Sequence, residues 1–479
     1  MNLLKKFQTL LNDMQPPKKR EYIIFFILFL VPFASMMYGD MKAFVHYEVN
    51  FWGSIFEGGG LKNFYEYGNN MLAYYRENNI GGAYELIYDF PVYIVLGIWG
   101  APLWIFCKIT GIEETSCIGT MLYAKSIYIV ALLITAYLIY FICKNIKINE
   151  VNAKWAAYLF LSSAVVFVEI GLVGQLDVLA FPFLLLGIYY YQRKNYKKFI
   201  LFFSIAISFK LFPLFIFIPL VLLYEKNVLK IIFKTLLALS FTIFVGIGFP
   251  TNTAAANIKE EIRNHFLQAF LGNKVPLFNS AVPLIIILFG IICVYCYLTN
   301  IESPEEYNYY SILIPLVVMF VILTSFDSNP YWFIYLSPFL AMLMVYNSNN
   351  FNQLILFETI GMAGLILNQY GGNYWVYETN HMEGMMLEKL FGRPEYLITL
   401  EVFNRYTRID FYSSVFFAIF WVCILTVVWL SRPGKCTQNE TVNIRKYAIV
   451  RLLLNASIAL IPEMVYLLSF PLGNYFMNR

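Results

Sequence analysis

Five short stretches hold residue types that do chemistry at places where an apolar chain rarely keeps them. In MMYGDMKAF (36–44), Asp40 is the first ionised side chain after an apolar run that starts at Tyr22. A helix C-terminus carries negative partial charge, so a carboxylate just past one is electrostatically misplaced. VGQLDVLAF (173–181) puts Gln175 and Asp177 in a turn too short for a soluble loop. FSIAISFKLFPLF (203–215) interrupts an apolar run with Lys210, a cation able to neutralise a phosphate. YDFPVY (88–93) carries Tyr88, Asp89 and Pro91, and TSFDSNPYWFIYLSPF (324–339) carries Asp327, Tyr331 and Trp332, aromatics suited to stacking on a sugar ring. Each has a plainer alternative, and both stay open at this level. Asp40 also reads as a membrane-exit residue, Asp177 as turn chemistry, Lys210 as a snorkelling side chain, Asp89 as an N-cap, and the aromatics as an interfacial belt.

The elements that must position these residues follow from composition. The chain has 479 residues, 59% hydrophobic and 13% charged, with a net charge of +4. Globular chains carry about a quarter charged residues, so a soluble fold of this length is excluded. Apolar runs of membrane-crossing length recur from end to end. The fold class expected is an all-α polytopic membrane protein. MNLLKKFQTLLNDMQPPKKR precedes the first run without a cleavage site after it, so that run is expected to stay as a helix. Of seven cysteines, only Cys293 and Cys296 share a C-x-x-C spacing, inside an apolar run where they read as small buried side chains.

Lysine and arginine clusters set the sidedness. Lys18, Lys19 and Arg20, then Lys144/Lys147/Lys154, Arg193/Lys194/Lys197/Lys198, Lys226/Lys230/Lys234 and Arg432/Lys435/Arg445/Lys446/Arg451 are placed in the cytoplasm. Thirteen spans satisfy all of them, with outer loops at 39–121, 250–280 and 371–409. Within the first loop, Met41, Phe44, Val45, Val49, Trp52, Ile55 and Phe56 recur at helical spacing with Lys42, His46 and Asn50 between them. That pattern predicts an amphipathic helix in the interface, ended by Gly58-Gly59-Gly60. Pro91 to Cys107 is read as a juxtamembrane or re-entrant helix, because it is short, contains Gly-Ala-Pro, and a crossing there would put the next basic cluster outside. Asp40, Gln175, Asp177 and Lys210 then share the outer face.

The order and sidedness of these motifs resemble the GT-C glycosyltransferases, in particular bacterial polyprenyl-phosphate-mannose-type enzymes. The likeness is strongest over residues 1–225, a shared transmembrane module, and looser over 226–479, a variable one. The resemblance implies an inverting transfer of a sugar from a polyprenyl-phosphate-linked donor to an envelope glycan, lipid or protein acceptor. It implies Asp40 as the catalytic base, Asp177 with Gln175 as the second polar position, and Lys210 as the phosphate-facing cation, helped by Arg263 and Arg408. Tyr88, Asp89, His46, Asp327, Tyr331 and Trp332 become acceptor or sugar contacts. The chain departs from relatives that have a histidine before the late Tyr, since it has Asn329-Pro330-Tyr331 there. Some members hold a divalent metal (Mg or Mn) between two acids, which here would be Asp40 and Asp177. No nucleotide-binding glycine motif is present, in keeping with a lipid-linked donor, and nucleic acid is not an expected partner. The expected place is a bacterial plasma membrane, N-terminus inside and site outside. The alternatives are a transporter or flippase of lipid-linked sugars, which Glu358 and Glu463 inside late spans favour, or an O-antigen-type polymerase or ligase.

Overall fold

The computed structural model describes residues 15–251, 253–277, 279–326, 328–372, 382–398, 400–432 and 444–477. In chain order it has α1 (Lys19–Ser35), β1 (Met37–Tyr38), α2 (Asp40–Phe56), α3 (Phe64–Glu77), α4 (Phe90–Thr110), α5 (Ile118–Asn145) and α6 (Glu150–Leu161). A π-helical stretch (Val166–Val173) and a 3-10 turn (Leu176–Ala180) lead into α7 (Phe181–Gln192), α8 (Tyr196–Phe209), α9 (Phe212–Tyr224) and α10 (Val228–Gly248). Then come α11 (Thr253–Gly272), β2 (Lys274–Leu277), β3 (Ser280–Pro283), α12 (Leu284–Leu298), α13 (Pro304–Thr324) and α14 (Ser337–Tyr346). The chain ends with α15 (Phe351–Gly371), β4 (Met382–Glu383), α16 (Met385–Phe391), α17 (Leu400–Thr407), α18 (Ser413–Leu430), α19 (Ile444–Ala459) and α20 (Ile461–Met477).

This is an all-α, multi-pass integral membrane protein. Six helices among the described residues are long and apolar enough to cross a bilayer, or up to eight if α6 with the π-helical stretch and α19 with α20 each make one bent span. Helices also stand at the other expected spans, but α7, α9, α12 and α14 are shorter. Large apolar side chains face outward along the crossing helices, such as Leu229 (78% exposed) and Phe244 (76%) on α10. Each would forfeit about 1.5–3 kcal/mol of burial in water, and lipid removes that penalty.

Two compact units form, and neither follows the module boundary expected at residue 225. The first gathers the described residues of 1–38, 132–175 and 333–479. Here α15 packs on α18 and α19, and α1 on the π-helical stretch. It contains a buried ion pair. Arg451 of α19 grips Glu358 of α15 through two bonds of 2.5 and 2.6 Å and also donates to Ser162 Oγ at 3.0 Å. Ser35 donates to Glu463 at 2.8 Å. Met37 pairs with Glu383 and Tyr38 with Met382 in the antiparallel β1–β4 bridge.

The second unit comprises 39–131 and 176–332. Its first half is a stack of α3, α2 and α4. Gly97 and Gly100 of α4 allow the close approach, since a Cβ on either would lie 2.2 Å from the Phe51 ring or 2.5 Å from Glu48 Cβ. Trp52 locks the contact by donating to Gly97 O at 2.7 Å. Its second half packs α7 on α8, and α9 on α12 and α13.

Three expectations change here. Asp40 was expected just past the end of the first apolar helix, but that helix stops at Ser35, and Asp40 opens the next one. The helix over 41–56 does form, yet it does not present its polar side to water: His46, Glu48 and Asn50 are buried with its apolar side chains. The expected outer loop 250–280 is mostly helix α11 followed by the β2–β3 hairpin. The segment 91–107 lies in a 21-residue helix, so its length alone permits a crossing. Its packing argues for the juxtamembrane alternative. The far side of the same stack is α3, whose exposed face carries Glu66, Arg76 and Glu77 and belongs in water. Cysteines introduced at Tyr84 and Ser116, on a background with the native cysteines replaced by serine, are therefore expected to react with an impermeant maleimide from one side of the membrane. Labelling from opposite sides would show that α4 crosses.

Candidate functional site

Asp40 is the first residue of α2, where the helix field stabilises a carboxylate. The electrostatic misplacement that singled it out is therefore gone, and its position in a cleft takes over as the reason to attend to it. That cleft, ≈ 250 Å³, is lined by Asp40, Phe44 and Tyr47 of α2, by Tyr84, Glu85 and Tyr88 of the following loop, and by Ile258 and Ile262 of α11. The loop is pinned where it passes the helix. Tyr47 donates to the carbonyls of Tyr84 and Glu85 at 3.2 and 2.9 Å, and Arg76 pairs with Glu85 at 2.7 Å. Gly82 (φ +83°) sits against the α2 backbone, where a Cβ would meet Lys42 Cβ at 2.4 Å. Burial and the nearby Asp40 charge push the Tyr47 phenol well up, so it remains a neutral donor.

Tyr88 joins this cleft to a second group of residues. Lys210, in the break between α8 and α9, holds its ammonium 5.8 Å from the Tyr88 ring centre and 5.5 Å from that of Trp332. Pro213 in the first turn of α9 keeps the break open, since its ring cannot continue the preceding helix. Asp177, in the 3-10 turn, lies 3.5 Å from the ammonium, with its side chain 1% exposed against 23% for Lys210. Among the described residues neither Asp177 oxygen has a hydrogen bond, and the buried Trp332 indole N–H has none either. Buried polar groups are nearly always satisfied, so these atoms leave hydrogen-bonding capacity open beside one cation.

The other expected residues fall elsewhere. His46 is fully buried and does not face the cleft. Its Nδ1 meets Glu114 Oε1 at 2.8 Å, its Nε2 meets Gly81 O at 2.9 Å, and Tyr75 stacks on its ring at 3.9 Å. Burial opposes ionisation of Glu114, but the hydrogen bond and charge of His46 and the hydrogen bond from Tyr75 outweigh it and hold its pKa below the ordinary value. Asp89 occupies the N-cap position of α4 without a capping bond and pairs with Lys259 at 3.0 Å. Arg263, one turn further along α11, makes an exposed pair with Glu260. Tyr331 accepts from Asn329 at 2.9 Å. Gln175 and Arg408 belong to the first unit, and Asp327 lies outside the described residues.

Two cations escaped the sequence reading. Lys259 was hidden because α11 reads as loop. Lys125, fully buried in α5 one turn before Tyr128, was legible as an ionisable residue inside an apolar run. Compared with family models, with curated proteins and with solved structures, the chain matches none.

Two predictions follow from burial. Lys210→Met leaves Asp177 as a buried, unmatched carboxylate and is expected to cost about 3–5 kcal/mol. Asp177→Asn leaves a partly exposed lysine free to reorient and should cost clearly less. Chemical unfolding of both variants and the double mutant checks this, and equal single losses would contradict it. Glu48, buried against Gly100 with Oε2 unpartnered among the described residues, has its carboxyl pushed well above the ordinary value by desolvation. The folded state then binds a proton that the unfolded state releases above about pH 4.5, so stability falls as pH rises. Glu48→Gln is expected to match wild type near pH 4.5 and to exceed it increasingly toward pH 8 in thermal unfolding. A difference that does not change with pH would show Glu48 ionised.

Proposed function

We propose that the chain is an inverting, membrane-embedded glycosyltransferase of the GT-C kind with thirteen spans. It moves a sugar from a polyprenyl-phosphate-linked donor to an envelope glycan, lipid or protein acceptor on the outer face of a bacterial plasma membrane. The observation that carries the reading is the Lys210 ammonium, set between two aromatic rings beside a buried acid and an unpartnered indole N–H, with Tyr88 leading from it to the Asp40 cleft.

When the glycosidic bond to phosphate breaks, the leaving phosphate gains negative charge. Lys210 and the Trp332 N–H are the donors available to that charge, and donors already in place stabilise it without reorganisation. On the opposite side of the sugar, Asp40 takes the proton of the acceptor hydroxyl as it attacks the anomeric carbon. One such displacement inverts the configuration. Tyr47 and Tyr84 give the cleft aromatic walls suited to a sugar ring. Lys210 already supplies positive charge beside Asp177, and Asp40 with Asp177 remains the pair that would hold a divalent metal. Of the two acids behind the transporter alternative, Glu358 is held by Arg451 and Glu463 accepts from Ser35.

The test is envelope glycan analysis in a deletion strain complemented with wild type or Asp40→Asn. Transfer should drop at least ~100-fold in the variant. An Asn variant present at normal level that restores the glycan fully would refute the base assignment.

A further inference from the structure

Beside the cleft but not lining it, the 111–117 loop brings two acids to one histidine of α2. His46, Glu113 and Glu114 each offer a ligand atom, and these atoms lie within 4.8 Å of one another. The Nε2 of His46 faces a backbone carbonyl, which only accepts, so the Nε2 carries a proton. In that tautomer Nδ1 presents a lone pair to Glu114 Oε1 at 2.8 Å. Two lone pairs at that distance repel unless a cation lies between them, and the cation is either a proton or a metal ion.

The surroundings are those of a metal ligand set. A metal-bound imidazole typically gives its other N–H to a backbone carbonyl, and bound carboxylates are themselves held by outer hydrogen bonds. Here Gly81 O takes the Nε2 proton, and Tyr75 donates to Glu114 at 2.7 Å. Glu113 is oriented by the Thr115 amide and hydroxyl at 2.8 and 2.6 Å. At metal–ligand distances of about 2.1 Å, two ligand atoms of a tetrahedral site stand about 3.4 Å apart, so Nδ1 and Oε1, now at 2.8 Å, part by about half an ångström to admit the ion. Glu113 is half-buried and leaves a way in from solvent.

We propose that His46, Glu113 and Glu114 form a binding site for a divalent first-row cation of the Zn²⁺ class, with solvent completing the coordination. One imidazole and two carboxylates suit that class. Binding takes the place of the proton between Nδ1 and Oε1: that proton leaves to bulk water, and Nδ1 and the carboxylates bind the ion. The site ties α2 to the loop after α4, six residues along α2 from Asp40, and does not depend on the transfer reaction.

The experiment uses the full chain in detergent, stripped with chelator and dialysed against Zn²⁺ or Co²⁺, reading bound metal by elemental analysis and the visible Co²⁺ spectrum. Expected are one saturable equivalent, release of one proton per ion, and a higher unfolding temperature with Zn²⁺. Glu113→Gln leaves the His46–Glu114–Tyr75 contacts in place, so its folding is testable by its own melt, and it should bind about 100-fold more weakly. If wild type binds no stoichiometric metal, or Glu113→Gln binds as wild type does, the cluster holds a proton only and the proposal is wrong.

Discussion

The second unit depends on one electrostatic constraint: a carboxylate almost wholly out of water, Asp177, lies 3.5 Å from the ammonium of Lys210. A carboxylate in so dry a place is tolerated only when it is matched. The 3-10 turn that carries Asp177 and the helix break that carries Lys210 must therefore keep their register. The rings of Tyr88 and Trp332 complete the cage around the ammonium, and Tyr88 carries the arrangement into the Asp40 cleft. The pair is long for an ion pair and lacks hydrogen bonds on the acid, so it holds the cation in place without saturating it.

The first unit holds one buried ion pair in a closed network. Arg451 and Glu358 are bidentate, and Arg451 also donates to Leu159 O and Ser162. That network serves packing, and the Lys210–Asp177 pair of the second unit, at 3.5 Å, is held less tightly.

Much of the architecture was legible because lipid imposes simple rules. Apolar runs located the membrane-length helices but not α3, α11, α16 or α17, and Lys210 in its apolar run marked a helix break to within a residue or two. Asp40 was picked out on a mistaken premise: it was placed past the end of one helix, whereas the chain turns through Gly39 and starts another. Alternating polar residues on 41–56 suggested a water-facing side. That side is covered by α3, the 81–88 loop and the 111–117 loop, whose contacts with α2 are long-range and leave no periodic signal. For the same reason His46 was assigned to a surface it does not reach. Lys259 was missed because α11 was read as loop, although Ile258, Ile262, Phe266 and Phe270 recur in it at every fourth residue. The units themselves, each built from separated segments, lie beyond any reading that proceeds along the chain.

The central claim is that Lys210 and its neighbours form an anion site for a lipid-linked phosphate. The direct measurement is equilibrium binding of a short-chain polyprenyl monophosphate to the purified protein in detergent, against the matching polyprenyl alcohol, for wild type and Lys210→Met. A charge-assisted hydrogen bond contributes about 1.5–3 kcal/mol, so the phosphate should bind roughly tenfold to a hundredfold more weakly to Lys210→Met while the alcohol is unaffected. Equal phosphate affinity for the two proteins, or no preference of wild type for phosphate over alcohol, would contradict the account.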